Sequence, residues 1–155
     1  MMISLLPFIP MAYFGIRLSL VDFKTRRLPN RMVGWFTLTE ITAIGAMSLG
    51  GTDLDQMANA LFIAVATTAT YLLLYFLSRG SLGMGDVKFA FPLGLCVGWY
   101  SPDYWLVAIF VSFLIAGLVA VTGLASKQMN RNSRLAFGPY MFLGTSIVCV
   151  FAVLN

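Results

Sequence analysis

Residues 104–125 read YWLVAIFVSFLIAGLVAVTGLA, and this stretch decides the fold. It contains no charged residue, and its length matches the roughly 20 residues that an α-helix needs to cross a bilayer. The same character extends over the whole chain of 155 residues, of which 59% are hydrophobic and 10% are charged. Soluble domains carry about 25% charged residues. The sequence therefore predicts an all-α, polytopic membrane protein that forms one transmembrane domain over residues 1–155.

Outward from this stretch, hydropathy predicts six transmembrane helices. The expected segments are 3–21, 32–49, 57–77, 87–100, 104–125 and 137–154. The fourth segment is the least typical, because its apolar run of about 14 residues is short for a membrane span and Pro92 interrupts it. The first segment lacks the preceding positive charge and the following small-residue site of a cleavable signal peptide, so it is expected to remain as a helix.

The connections between these segments alternate in charge. In chain order they carry Lys24, Arg26, Arg27 and Arg31; then Asp53 and Asp55; then Arg79 and Lys88; then Asp103; then Lys127, Arg131 and Arg134. The positive-inside rule places the basic connections in the cytoplasm and both ends of the chain outside. The connections at Arg79 and at Arg131 are both basic and therefore on the same side, so the chain must cross the membrane twice between them. This favours the interpretation of the short fourth segment as a membrane span. Because the net charge of +4 is spread over short loops, we expect no nucleic-acid partner.

The chain contains no histidine, which excludes a Ser/His/Asp triad, a Cys/His dyad and a histidine-ligated metal. Cys96 and Cys149 lie singly in apolar segments, where they are expected to be core residues rather than a metal site. No metal or organic cofactor is implied. Any chemistry must therefore depend on other groups, above all the carboxylates.

Three of the six acidic residues lie outside the outer loops, and two of these three lie at the ends of predicted segments. Asp22 ends the first segment and Asp86 begins the fourth, so both are expected at the cytoplasmic side. If Trp99 and Tyr100 lie at the outer interface, Asp86 lies roughly 20 Å inward, below the cytoplasmic surface. A carboxylate at that depth is costly and marks function. Two nearby carboxylates can share one proton, so that one activates water while the other polarises a carbonyl group, as in an aspartic hydrolase.

A purely structural interpretation of both residues is also open. Asp22 would then pair with Arg26, and Asp86 would be a helix N-cap favoured by the helix dipole. Gly83 and Gly85 favour the catalytic interpretation, because glycine permits the close approach that a peptide lying beside the acid would need. A GxGD tetrapeptide alone does not decide between the two.

Three segments together are more specific. VDFKTRRLPN at 21–30, GMGDVK at 83–88 and FGP at 137–139 resemble, in order and spacing, the three signatures of type IV prepilin peptidases, the GxGD-class intramembrane aspartic peptidases of bacteria. The resemblance covers essentially the whole chain. It implies that Asp22 and Asp86 are the catalytic pair. It also implies a substrate-binding or site-shaping role for Gly83, Gly85, Lys88, Phe137, Gly138 and Pro139.

The resemblance further implies a substrate and a location. A multi-pass protein of the bacterial plasma membrane would remove the leader of prepilins or pseudopilins at the cytoplasmic face, after a glycine. Leu28-Pro29-Asn30 stands where many members have LPD, and we expect little effect because Asn also starts helices. The extra N-terminal region of long members, with its two CxxC pairs, has no counterpart here. The sequence is thus similar to the short, peptidase-only form, and methylation is not expected.

Two other charged residues lie within predicted helices. Glu40 could act in a proton relay or contact the substrate, but a neutral, hydrogen-bonded glutamate facing the bundle is favoured. Arg17 could lower the pKa of a carboxylate, but snorkelling of its side chain to the cytoplasmic interface is favoured. A small proton-coupled transporter or channel subunit using Asp86, Glu40 and Asp22 is the alternative function, and a non-catalytic membrane scaffold is a third.

Overall fold

The computed structural model of the chain describes residues 6–49, 54–78, 82–127 and 135–154. Within these ranges the chain forms six α-helices joined by short connections. They are α1 (Phe8–Thr25), α2 (Asn30–Leu49), α3 (Leu54–Leu77), α4 (Met84–Tyr100), α5 (Trp105–Ala125) and α6 (Gly138–Leu154), with one 3-10 turn at Pro102–Tyr104 before α5. The all-α prediction is confirmed.

The first helix differs from its prediction at both ends. Leu6 and Pro7 form a turn, and α1 runs from Phe8 to Thr25 instead of ending at residue 21; residues 3–5 lie outside the described part of the chain. The helix ends at Arg26, whose left-handed backbone (φ 52°) lets its N–H donate to the carbonyl of Asp22 at 2.7 Å. Asp22 therefore lies inside the last turn of α1. The other five helices begin and end within three residues of the predicted segments.

Three helical stretches in the described residues are long and apolar enough to cross a membrane: Asn30–Leu49, Leu54–Leu77 and Pro102–Ala125. Gly138–Leu154 is apolar but shorter. The helices α1 and α4 carry the charged side chains of Arg17, Asp22, Asp86 and Lys88, which lower their apolar character. The six predicted segments are thus confirmed to be helical. Three of the helical stretches have the length and composition of membrane spans.

The outward faces of the bundle are apolar. Large hydrophobic side chains stay exposed on every long helix, among them Ile9, Trp35, Phe62, Phe76, Phe110, Leu118 and Phe151. So many exposed large apolar side chains are uncommon on soluble monomers and indicate contact with lipid or with another protein. The chain therefore presents the surface of a membrane protein.

The short helix α4 lies at the centre of the bundle and contacts all five other α-helices. Most of its residues are buried, and the helix continues through the buried Pro92. It lies closest to α3, where a Cβ added at Gly94 or Gly98 would lie 2.7 Å from the Cα of Ala64 or Ala60. Small residues of this kind let two helix backbones approach, which is the usual packing of helices in membranes.

A row of aromatic rings fixes α1, α2 and α4 relative to one another. Phe14 stacks on Phe36 with 5.9 Å between ring centroids, and Phe36 meets Phe89 at 6.1 Å. Phe36 and Phe89 are fully buried. Since Phe89 lies one turn from Asp86, this packing sets where the start of α4 lies against the end of α1.

Candidate active site

Asp22 is buried at the end of α1, with 5% of its surface exposed. Its Oδ2 accepts a hydrogen bond of 2.9 Å from the backbone N–H of Gly138, the first residue of α6. The first N–H groups of a helix have no partner within the helix, and the helix dipole favours a negative charge there. The start of α6 thus holds the Asp22 carboxylate.

Gly138 leaves no room for a side chain. A Cβ at this position would lie 2.9 Å from Oδ2 of Asp22 and 3.4 Å from its Cβ. Contact this close between a carbon and a carboxylate oxygen would require one of the two groups to move. Glycine is therefore the residue that lets the helix start and the carboxylate meet.

Asp86 is held in a similar way at the start of α4. Its Oδ2 accepts the backbone N–H of Gly83 at 3.1 Å, and 7% of its surface is exposed. Gly83 is the N-cap of the helix, with extended backbone, and Asp86 is the third helical residue. The alternative interpretation of Asp86 as the N-cap is wrong in position, because the helix starts at Met84; its carboxylate instead accepts the N–H of the capping residue Gly83, as in a capping box.

The structure brings these two carboxylates together. Asp22 and Asp86 lie within electrostatic range of each other, although 64 positions separate them along the chain. The hydrogen bonds from Gly138 and Gly83 both use Oδ2, so these bonds leave Oδ1 of each carboxylate free for another partner. The suggested charge pairing of Asp22 with Arg26 is not found in the described part of the chain: the Arg26 backbone N–H donates to the Asp22 carbonyl, which is an ordinary helix hydrogen bond. Two buried carboxylates within electrostatic range of each other can share one proton.

Two other residues of the GMGDVK segment face the α1–α2 connection rather than the carboxylates. A Cβ on Gly85 would lie 3.1 Å from the Cβ of Leu28, so this glycine gives room to the leucine. The Lys88 ammonium donates to Oδ1 of Asn30 at 3.0 Å. Lys88 therefore contacts the beginning of α2.

Phe137 and Pro139 fix the beginning of α6. The Phe137 ring lies 4.7 Å from Phe113 and 6.2 Å from Tyr71, which anchors the residue before Gly138 against α5 and α3. Pro139 is the second helical residue, where a missing N–H costs nothing. Together they orient the Gly138 N–H toward Asp22. Hydropathy gave no indication of the roles of Tyr71 and Phe113. Leu28 had no assigned role in the sequence analysis, and Asn30 was expected only to start a helix.

Glu40 does not join the carboxylate pair. It is completely buried, and its Oε1 accepts from the Cys96 thiol at 3.0 Å. Within the described residues its Oε2 has no hydrogen-bond partner. Glu40 lies ten residues after Asn30 in α2, and Cys96 lies ten residues after Asp86 in α4. Each separation is about 15 Å along the helix axis. The predicted hydrogen bond and burial of Glu40 are confirmed, while its neutral state stays a prediction.

Arg17 lies away from both carboxylates. Its guanidinium carbon is 5.1 Å from the centroid of the Tyr13 ring, one turn toward the start of α1. Asp22 lies in the other direction along the same helix. The side chain thus forms a cation–π contact and does not extend toward the end of α1, as snorkelling to that interface would require.

The described helices form an apolar bundle in which two buried carboxylates at helix ends lie within electrostatic range of each other. Residues 9–121 match the type IV leader peptidase family, and the chain belongs to that family. The match contains Asp22 and Asp86, while the Phe137-Gly138-Pro139 segment lies beyond it. The resemblance noted in the sequence is therefore confirmed at the level of the family. No curated protein and no solved structure matches the chain.

Proposed function

We propose that this protein is an intramembrane aspartic endopeptidase that removes the leader peptide of prepilin-like or pseudopilin proteins. The observation that carries the proposal is the meeting of Asp22 and Asp86, each buried and each held by the N–H of a glycine at a helix start. Membership of a leader peptidase family supports the peptide-cleaving activity. The proposed chemistry uses these two carboxylates alone.

In this mechanism the pair holds one proton before the reaction. The ionised carboxylate takes a proton from a water molecule, whose oxygen attacks the scissile carbonyl carbon, and the protonated carboxyl donates to the carbonyl oxygen. The C–N bond of the tetrahedral intermediate then breaks, and the leaving nitrogen receives a proton from the pair. Because the two groups titrate as a unit, neither is assigned alone as acid or base.

The proposal places the cleavage at the cytoplasmic face of the bacterial plasma membrane. All six helices would cross the membrane as one domain, with both described ends of the chain outside and the basic connections inside. The exposed apolar faces support this arrangement, as do Lys24 and Lys127, which lie on the side of the bundle where α1 and α5 end. The central α4, enclosed by other helices, needs less apolar length than a helix in contact with lipid.

Substrate recognition follows from the charge of this face. Because it is rich in Lys and Arg, it does not attract a basic leader electrostatically. Recognition would then depend on an apolar substrate helix that docks against the bundle, and on a small residue at the cut. We propose that the cut follows a glycine at the junction of the leader and this helix.

The test is co-expression with a candidate prepilin. We expect a shift to higher mobility, and mass spectrometry of the product should give an N-terminus directly after the glycine. Asp86→Asn should leave the precursor uncut, while Asp103→Asn, an exposed residue near the other end of α4, should cleave normally. Absence of cleavage by the unaltered protein across several prepilins, with the protein present in the membrane, would contradict the proposal.

A further inference from the structure

The connection between α1 and α2 begins at one carboxylate. Arg26 ends α1 through its hydrogen bond to the carbonyl of Asp22, and α2 starts at Asn30. Only residues 27–29 lie between them. A connection of this length has little freedom, so its position is tied to the end of α1 and therefore to Asp22.

The same connection contacts α4 on both sides of the other carboxylate. Leu28 packs on Gly85, whose missing Cβ would lie 3.1 Å from the Cβ of the leucine. Asn30 accepts from Lys88 at 3.0 Å. Gly85 directly precedes Asp86, and Lys88 follows it by two positions within the first turns of α4.

We propose that Leu28 and Asn30, with Lys88 as the partner of Asn30, form a clasp that sets the position of Asp86 relative to Asp22. The clasp rests on the proposed function, since it positions the two groups assigned there to catalysis. Asn30 and Lys88 are positioning residues in this account. Neither contacts the carboxylates, and Lys88 acts through its hydrogen bond rather than through a contact with substrate.

Misplacement of a catalytic group by about 1 Å can cost on the order of 100-fold in rate. Because the exposed Asn30–Lys88 bond is one of two contacts in the clasp, we expect its loss to lower kcat of leader removal by about tenfold. KM should stay within about twofold, since no substrate contact is removed. Lys88→Met and Asn30→Leu each remove the bond, and the double variant should lose no more than either single variant.

The decisive variant exchanges the two residues. Asn30→Lys combined with Lys88→Asn restores an amide-to-ammonium bond with the partners reversed, and it should recover kcat to within about threefold of the unaltered enzyme. Lys88→Arg keeps the donor and should be similarly active. Lys24→Met is the matched control, because Lys24 is an exposed lysine on the last turn of α1 and should be replaceable.

Each result decides the proposal separately from the proposed function. If the unaltered enzyme cleaves prepilin and Lys88→Met equals Lys24→Met, the clasp is wrong while the peptidase stands. A raised KM with unchanged kcat, losses that multiply in the double variant, or an exchanged pair no better than Lys88→Met would also overturn the clasp. Folding is checked by thermal unfolding in detergent; if both single variants fail to fold, an inactive but folded Lys88→Arg would overturn the clasp as well.

Discussion

At the residue scale, the site depends on two glycines, each of which donates a hydrogen bond and leaves space for a carboxylate. Gly83 and Gly138 donate a backbone N–H to a carboxylate, and both lack the side chain that would crowd its oxygen. A Cβ would lie 3.1 Å from Oδ2 of Asp86 at the first position and 2.9 Å from Oδ2 of Asp22 at the second. Their value is therefore close approach rather than an unusual backbone conformation.

Gly138→Ala tests this close approach. The added methyl group would displace the Asp22 carboxylate from the start of α6, and we expect leader removal to slow by roughly 10- to 100-fold, as for small misplacements of catalytic groups. The initial rate at matched enzyme concentration is the measurement. Gly117→Ala is the control, because a Cβ there meets no described atom within 4 Å. Full activity of Gly138→Ala would show that the 2.9 Å contact is not needed.

Glu40→Gln separates a structural glutamate from a proton path. Glutamine keeps an oxygen that can accept from the Cys96 thiol, and Glu40 lies about 15 Å along α2 from the start of that helix. We expect cleavage within about threefold of the unaltered enzyme. The assay is again the initial rate of leader removal. Loss of activity in a folded Glu40→Gln protein would instead support the relay interpretation.

The residues allowed the carboxylate pair to be predicted, and the family resemblance added Gly83 and Gly138 as site-shaping residues, but neither predicted the hydrogen bonds that these glycines make. Charge alternation placed Asp22 and Asp86 at one face, and the structure brings them into electrostatic range. The hydrogen bond from Gly138 could not be inferred from hydropathy, because it joins residues 116 positions apart through the packing of α1 against α6. The predicted snorkelling of Arg17 was wrong for a similar reason. The prediction considered only how deep the residue lies in the membrane, and its contact with the Tyr13 ring cannot be inferred from depth.

At the scale of elements, α4 decides the architecture. Its backbone lies so close to α3 that Gly98 would bring a Cβ within 2.7 Å of the Cα of Ala60 and 2.8 Å of the Cβ of Ile63. The obstructing atoms belong to backbone and to a branched side chain at its root, so they cannot rotate away. The α3–α4 contact is therefore expected to tolerate little change.

Gly98→Ala should lower the stability of the folded bundle. Overpacking of a tight core costs about 1–3 kcal/mol, and the measurement is thermal unfolding of the purified protein in detergent. Gly45→Ala is the matched control, because it lies in α2 with no described atom within 4 Å of an added Cβ. It should be neutral or slightly stabilising, since alanine restricts the unfolded chain. Equal unfolding temperatures for the two variants would contradict the packing of α3 against α4.

Helix boundaries were predictable to within three residues for α2 to α6, including the buried α4, and α1 is the exception. Hydropathy located α2, α3 and α5 closely, because their exposed faces are long and apolar. It ended α1 too early, since Asp22, Lys24 and Thr25 lower the hydropathy of a turn that is nonetheless helical. Hydropathy also gave no indication that α4 is central, because an apolar residue facing another helix and one facing lipid contribute equally to it.

At the scale of the whole molecule, charge sets the expected orientation. The described basic residues Lys24, Arg26, Arg27 and Lys88 lie at the end of the bundle that holds the two carboxylates, and Asp103 lies at the opposite end of α4. By the positive-inside rule, we expect the carboxylate end to be cytoplasmic. The site would then meet the leader before it crosses the membrane.

Single cysteines test this orientation. In a background without Cys96 and Cys149, cysteines at positions 24 and 127 should react with an impermeant thiol reagent only after the membrane is opened. A cysteine at position 103 should react in intact cells, as should one at position 53, which lies outside the described residues. Labelling of position 127 from outside would contradict the six-span topology.

The central claim is that Asp22 and Asp86 act together on one water molecule. The most direct test is the initial rate of leader removal by Asp22→Asn, Asp86→Asn and the double variant, in liposomes at matched concentration. Asparagine keeps size and hydrogen bonding, so the proteins should still fold. Each single variant should lose nearly all activity, and the double variant little more, because residues that act as a unit are not additive. Near-normal cleavage by a folded Asp22→Asn protein, or losses that multiply in the double variant, would contradict the claim.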